Sequence, residues 1–147
     1  MIKIENAKKI ITKDLDGNNN GYLIELGREG RFTTSYLSAV SPGSFKGYHS
    51  HTVREANYVC VKGRLKIVLV SKTATDRVDV IEYILDSDTP QRLHIPAHIP
   101  TGLVNESKDE EAWIVNTPNP PYDPELKDEQ LEFTLEAAIT WAMENGG

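Results

Sequence analysis

His49 and His51 lie two residues apart in the run G-S-F-K-G-Y-H-S-H-T-V-R-E-A-N-Y-V-C-V-K-G, from Gly43 to Gly63. On an extended strand, alternate side chains leave the same face about 7 Å apart, so the two imidazoles converge on one spot. Such a pair can hold a divalent metal, with Glu55 as a nearby carboxylate ligand. It can equally act as base and acid on two ends of a small substrate, because an ordinary imidazole pKa of about 6.5 leaves both protonation states within reach near neutrality. Both chemistries need the same geometry, and the spacing leaves both open. Arg92 and His94, which share a face of a later strand, could add positive charge to the same cavity.

These residues need a β scaffold, and the rest of the chain reads as one. With 147 residues, 39% apolar and 26% charged, the chain suits a single domain, 1–147, around one core. A net charge of −6 argues against nucleic acid and anionic membranes, which reward excess Lys and Arg. The lone Cys60 has no partner for an internal disulfide. No apolar run approaches ~18 residues, and M-I-K-I-E-N lacks a signal-peptide core, so the cytoplasm is the expected compartment. Cys60 itself, inside Y-V-C-V, reads as a small buried apolar residue rather than a nucleophile.

Short strands follow one another with turn signals between them. D-G-N-N-N-G, from Asp16 to Gly21, is rich in residues that tolerate positive φ and predicts a hairpin loop. F-T-T-S-Y-L-S-A-V is strand-like and is stopped by S-P-G at Ser41 to Gly43. R-L-K-I-V-L-V alternates, and V-D-V-I-E-Y-I-L, Q-R-L-H-I, G-L-V-N and E-A-W-I-V-N-T continue the pattern. Regular short strands of this kind predict an antiparallel sandwich or barrel. The prolines between Asn116 and Pro124 end it, because proline removes ladder donors. In T-L-E-A-A-I-T-W-A-M-E-N-G-G, Leu135, Ala138, Ile139, Ala142 and Met143 form a helical stripe, with Thr134 as N-cap and Gly146 as stop.

The Gly43–Gly63 stretch resembles the first motif of the cupin superfamily, with Gly43, His49, His51, Glu55 and Gly63 in the motif positions. P-A-H-I-P-T-G-L-V-N, from Pro96 to Asn105, is similar to the second motif. There Pro96 and Asn105 match, His98 stands where a glycine is expected, and Thr101 stands where metal-binding cupins place a third histidine. Seven residues separate Glu55 from Gly63, one more than is usual in metal cupins, which on a period of two turns Glu55 to the other face. The resemblance therefore implies no metal and no other cofactor; were a metal bound, His49, His51, Glu55 and His98 would be its set. K-G-Y-H-S-H is similar to the R-G-x-H-x-H entry of cupins that isomerise or epimerise nucleotide-linked 4-keto-6-deoxy sugars. Lys46 takes the place of the phosphate-contacting arginine, supplying charge without a bidentate fork. Tyr122 is placed like the second tyrosine of the Y-Y-x-P stretch of 3,5-epimerases, whereas their catalytic tyrosine corresponds to Ile114.

The resemblance, which spans Phe32 to Pro124, implies an all-β, antiparallel cupin jelly roll with a short C-terminal helix. Its barrel is expected over about 22–117, the proline-rich segment over 118–124 and the helix over about 134–145. The implied activity is isomerisation of a nucleotide-linked 4-keto-6-deoxy sugar in the manner of a 3,4-ketoisomerase. A dTDP-4-dehydrorhamnose 3,5-epimerase is the alternative, and a metal-dependent or non-catalytic sugar-binding cupin is a further one. In this family picture His49 and His51 are catalytic, Lys46 and Tyr122 bind substrate, and the chain works as a homodimer; Arg92 joins the substrate-binding set on its strand face alone, an exposed solvated face being the alternative.

Overall fold

R-L-K-I-V-L-V forms a strand because its alternate residues Leu65, Ile67 and Leu69 are fully buried on one side, while Arg64 and Lys66 stand on the other. The structure, a computed structural model, describes residues 2–27, 34–120, 125 and 130–146. In chain order its elements are β1 (Lys3–Asn6), β2 (Lys9–Lys13), β3 (Asn19–Ile24), β4 (Tyr36–Val40), β5 (Phe45–His51) and β6 (Ala56–Lys62). There follow β7 (Arg64–Lys72), β8 (Val78–Asp86), β9 (Gln91–Ile95), β10 (Thr101–Val104), β11 (Ala112–Asn116), β12 (Gln130–Glu132) and α1 (Leu135–Asn145).

Two five-stranded sheets, ordered β1-β9-β6-β11-β4 and β12-β5-β10-β7-β8, make a jelly roll whose strand pairs are antiparallel. The core lies between them. Val40, Tyr58, Cys60, Leu93, Ile95, Ala112 and Ile114 enter it from the first sheet, and Leu65, Ile67, Leu69, Leu85 and Leu103 from the second. Gly63 takes positive φ, +71°, in the tight β6–β7 connection. Asn105, just past β10, is fully buried; its Nδ2 donates to Val40 O at 3.0 Å and Glu110 O at 2.8 Å, and its Oδ1 accepts from Ser107 N. The asparagine of the second motif thus ties the β10–β11 loop to β4.

The sheets reach beyond the expected 22–117 barrel at both ends. β1 pairs with β9, and the polar segment Q-L-E, which carries no strand pattern, becomes edge strand β12 along β5. The hairpin of β2 and β3 forms where D-G-N-N-N-G predicts it, with the Asp14 carboxylate accepting from the backbone N–H of Asp16 and Asn18. Helix α1 begins as expected, Thr134 Oγ1 accepting from Ala137 N at 3.2 Å. Two of the five residues of its apolar stripe are used: Ala138 and Ala142 are buried against Val70 on the outer face of β7, whereas Leu135, Ile139 and Met143 stay exposed. Gly146 stops the helix in an extended conformation with φ −72°, its N–H donating to Ala142 O. No described helix is long and apolar enough to cross a membrane.

Candidate active site

Strand β5 carries the histidines, and its pairing with β10 decides where they point. His49 lies opposite Thr101, while Lys46, three residues earlier, lies opposite Leu103, only two residues later. Strand β5 therefore holds one extra residue, a bulge at Gly47 and Tyr48 facing Gly102. Thr101 and Leu103 share a face, and Leu103 is in the core, so Lys46 and His49 both stand on the inner side despite their odd spacing. Thr101 is in turn opposite Leu69, another core residue. Tyr48 leaves the outer face and packs against the cluster under α1.

His49 and His51 stand with ring centroids 6.4 Å apart and planes at 80°. Burial holds the His49 pKa below the ordinary 6.5, and the neighbouring His51 pushes it further down against the opposing pull of Glu132. His49 thus stays a neutral imidazole, fit to take a proton, down to a lower pH than a solvated histidine does. Glu132 reaches it because β12 pairs directly with β5, Glu132 opposite His49 and Gln130 opposite His51. His51 is held from two sides. Its carbonyl oxygen accepts from His98 N at 2.8 Å, and its Nδ1 lies 3.2 Å from Arg54 Nη2.

The other expected site residues are distributed as follows. Lys46 Nζ donates to Ala39 O at 2.8 Å from an exposed position at the inner rim of β5. Thr101, at the place of the third metal histidine, is cross-strand to His49 and donates its hydroxyl to Ile99 O. Glu55 does not join the histidines; its carboxylate sits 3.4 Å from His94 Nε2, and His94 Nδ1 is 3.0 Å from Asn57 Oδ1. His98 turns its ring onto Trp141 of α1, with centroids 5.7 Å apart. Among the described residues, no group of three or more His, Cys, Asp or Glu side chains converges as a metal site.

Arg92 is on the opposite side of β9 from core residues Leu93 and Ile95, and so outside the cavity it is expected to charge. It is 4% exposed, and its guanidinium is engaged by Glu5 at 2.7 Å, Glu25 at 3.5 Å and Leu26 O at 3.0 Å. These bonds make it a tie between β9, β1 and the segment after β3. Tyr122 lies outside the described residues. Ile114, at the epimerase tyrosine position, is a core residue, and the phenol of buried Tyr58 is pushed up to about 12. A cavity of about 610 Å³ lies away from the histidines, at the β6–β7 connection, beside Arg64, Lys66, Asp88 and Glu110.

Sequence reasoning missed Arg54 and Glu132. Arg54 follows His51 by three residues across a turn, a spacing that signals proximity only once the turn is known. Glu132 sits in a strand too polar and short to be recognised.

Over residues 16–130 the sequence matches the protein family described as "Polysaccharide biosynthesis C-terminal domain". No curated protein matches the chain. Among solved structures it is similar to a dTDP sugar isomerase from Desulfovibrio desulfuricans, with a TM-score of 0.76 at 17% identity over 99% of this chain and 92% of that one. It is also similar to a sugar 3,4-ketoisomerase from Thermoanaerobacterium thermosaccharolyticum solved in complex with TDP, with a TM-score of 0.64 at 19% identity over 97% and 95% of the two chains. A third is a 3,5-epimerase from Legionella pneumophila in complex with dTDP-4-keto-L-rhamnose, with a TM-score of 0.68 at 17% identity over 94% and 76%.

Proposed function

The chain belongs to the polysaccharide biosynthesis C-terminal domain family, and from that premise we propose that it isomerises a nucleotide-linked 4-keto-6-deoxy sugar by moving the carbonyl between C4 and C3. The observation that carries the reading is one inner face of β5 presenting Lys46, His49 and His51 together. The similar structures solved with TDP and with a dTDP-keto-sugar supply the substrate class.

The chemistry is proton transfer α to a carbonyl. Neutral His49 removes the proton from C3, and the electron pair of that C–H bond forms the C3–C4 double bond while the carbonyl pair moves onto O4. The O3 proton passes to O4. The imidazolium of His49 then gives its proton to C4, and the C3 carbonyl forms as the double bond is consumed. Nothing is oxidised or reduced overall. Lys46, exposed at the rim, exchanges its bond to Ala39 O for a diphosphate oxygen, and Tyr122 belongs with it as a substrate contact. Arg92 is left out because its donors are taken by Glu5, Glu25 and Leu26 O. Thr101 in place of the third histidine and Glu55 turned to His94 favour a reaction that needs no metal ligand set.

With a dTDP-4-keto-6-deoxyhexose in deuterated water, NMR is expected to show the carbonyl moving to C3 and no deuterium entering C5 beyond an enzyme-free control. Rapid exchange at C5 would transfer the assignment to a 3,5-epimerase, although Ile114 stands where that class places its tyrosine. The reading also carries a homodimer in the cytoplasm; sedimentation equilibrium giving one 16.4 kDa chain at micromolar concentration overturns the dimer.

A further inference from the structure

His51 is the last residue of β5, and the end of a strand is the first part to open unless something beyond the ladder holds it. Here the hold comes from the connection between β9 and β10, where His98 N donates to His51 O at 2.8 Å. His98 itself has φ +67°, in the left-handed region that a Cβ makes costly, at the place where the second motif expects glycine. The ring that glycine would lack is in use. It stacks on Trp141 of α1 with centroids 5.7 Å apart and planes at 23°, and Trp141 in turn meets the Phe133 ring at 5.4 Å. Phe133, between β12 and α1, donates its N–H to Tyr48 O at 2.7 Å and accepts from Tyr48 N at 3.2 Å. Before it, β12 runs along β5 with Glu132 opposite His49 and Gln130 opposite His51. The C-terminal segment therefore holds the histidine strand along its edge, through β12, and at its tip, through Trp141 and His98.

We propose that Trp141 is a positioning residue of the isomerase site: its stack with His98 pins the connection at 96–100, and with it the tip of β5 that carries His51. The proposal rests on the ketoisomerase reading. Helix α1 can serve as the anchor because Ala138 and Ala142, on either side of Trp141 in the sequence, are buried against Val70, so the helix cannot turn without losing that packing. A residue held in a sparsely populated backbone region persists only where its surroundings fix it, and Trp141 is the surrounding that fixes His98. The effect on chemistry is one of placement. A reacting group displaced by about 1 Å can lose on the order of a hundredfold in rate, although the side chain that moved it never touches the substrate.

The test reads the pin by amide hydrogen exchange of the full chain, followed by NMR, and then by turnover. In Trp141→Leu the amide of His98 is expected to exchange about tenfold faster or more, while the amides of the β7–β8 ladder keep their wild-type protection. Trp141→Phe, which retains a ring, is expected to keep the His98 amide protected. His98→Gly removes the ring but leaves the backbone N–H, and glycine accepts a positive φ without strain. With a dTDP-4-keto-6-deoxyhexose, Trp141→Leu and His98→Gly are each expected to lower kcat about fivefold to fiftyfold with KM changed less than about threefold, and Trp141→Phe to recover most of the loss. The double variant is expected to lose no more than the larger single loss, because both substitutions remove one contact. A His98 amide unchanged in Trp141→Leu overturns the proposal, as does a kcat within about twofold of wild type in His98→Gly. If Trp141→Leu fails to fold, amide protection at position 98 in His98→Gly decides in its place. A wild type that turns over no keto-sugar removes the reaction assigned above, while the exchange rates separately decide the pin.

Discussion

Replacing His49 with asparagine is expected to lower kcat by about 10²- to 10⁴-fold, the range that a positioned general base contributes, while dTDP still raises the melting temperature of the variant. Asparagine keeps a polar side chain of similar reach but cannot take a proton. The retained nucleotide response separates loss of chemistry from loss of fold. The pH dependence has a definite sign. His49 must be neutral to act, and burial and His51 lower its pKa from 6.5, so the acid limb of kcat/KM is expected to reach half-height below 6.5. The same shift enters stability: between 6.5 and the lower native value, the unfolded chain binds a proton that the native one does not. The His49 contribution is therefore complete above 6.5 and is lost as pH falls through the native pKa. Rates of the wild type and variant across that range check the base and its acid limb, and urea unfolding of the wild type over the same range checks the stability; an asparagine variant within tenfold of wild type, or an acid limb centred above 6.5, would remove His49 from the role of base.

Gly47→Ala is expected to cost about 2–4 kcal/mol of stability, more than a usual surface change, because two independent penalties meet there. Gly47 has φ +135°, outside the range that side-chain-bearing residues adopt readily. A Cβ at Gly47 would stand 2.7 Å from Thr101 O and 2.8 Å from Gly102 Cα, both backbone atoms that cannot swing aside. Relief requires β5 to part from β10 or to lose its bulge. Losing the bulge would send Lys46 to the outer face while His49 stayed inside, so the variant should also weaken dTDP binding. Urea unfolding measures the first effect as a lower midpoint with an unchanged slope. A midpoint shift worth less than about 1 kcal/mol would mean that the bulge relaxes cheaply.

The strands were readable where one face is buried and the other is wet. R-L-K-I-V-L-V announces β7, D-G-N-N-N-G announces the first hairpin, and Thr134 announces α1, because each signal is local to its own residues. The two histidines were readable for the same reason, both lying on one side of a single strand. What escaped depends on partners far along the chain. The bulge that brings Lys46 alongside His49 exists only as a count of β5 against β10, more than fifty residues later. Arg92 reads as a cavity residue until Glu5 and Glu25, 87 and 67 residues away, are seen to hold it on the outside. β12 has no pattern to detect; its pairing with β5 defines it. Three of the five stripe residues on α1 stay exposed because alanines, rather than the larger Leu135, Ile139 and Met143, make the close approach to β7.

Cys60 offers an experimental consequence. It is the chain's sole cysteine, 1% exposed, its thiol donating to Lys62 O and Gly63 O, and burial pushes its pKa up to about 11. At pH 8 only about one thiol in a thousand is ionised by that value, and maleimides and disulfide reagents attack the thiolate. The native protein is therefore almost silent to thiol labelling without any cysteine having to be removed. A single cysteine introduced on the outer face of α1, at Met143 for example, would be the one site to accept a fluorophore or spin label, so the surroundings of that helix can be read on an otherwise unaltered chain.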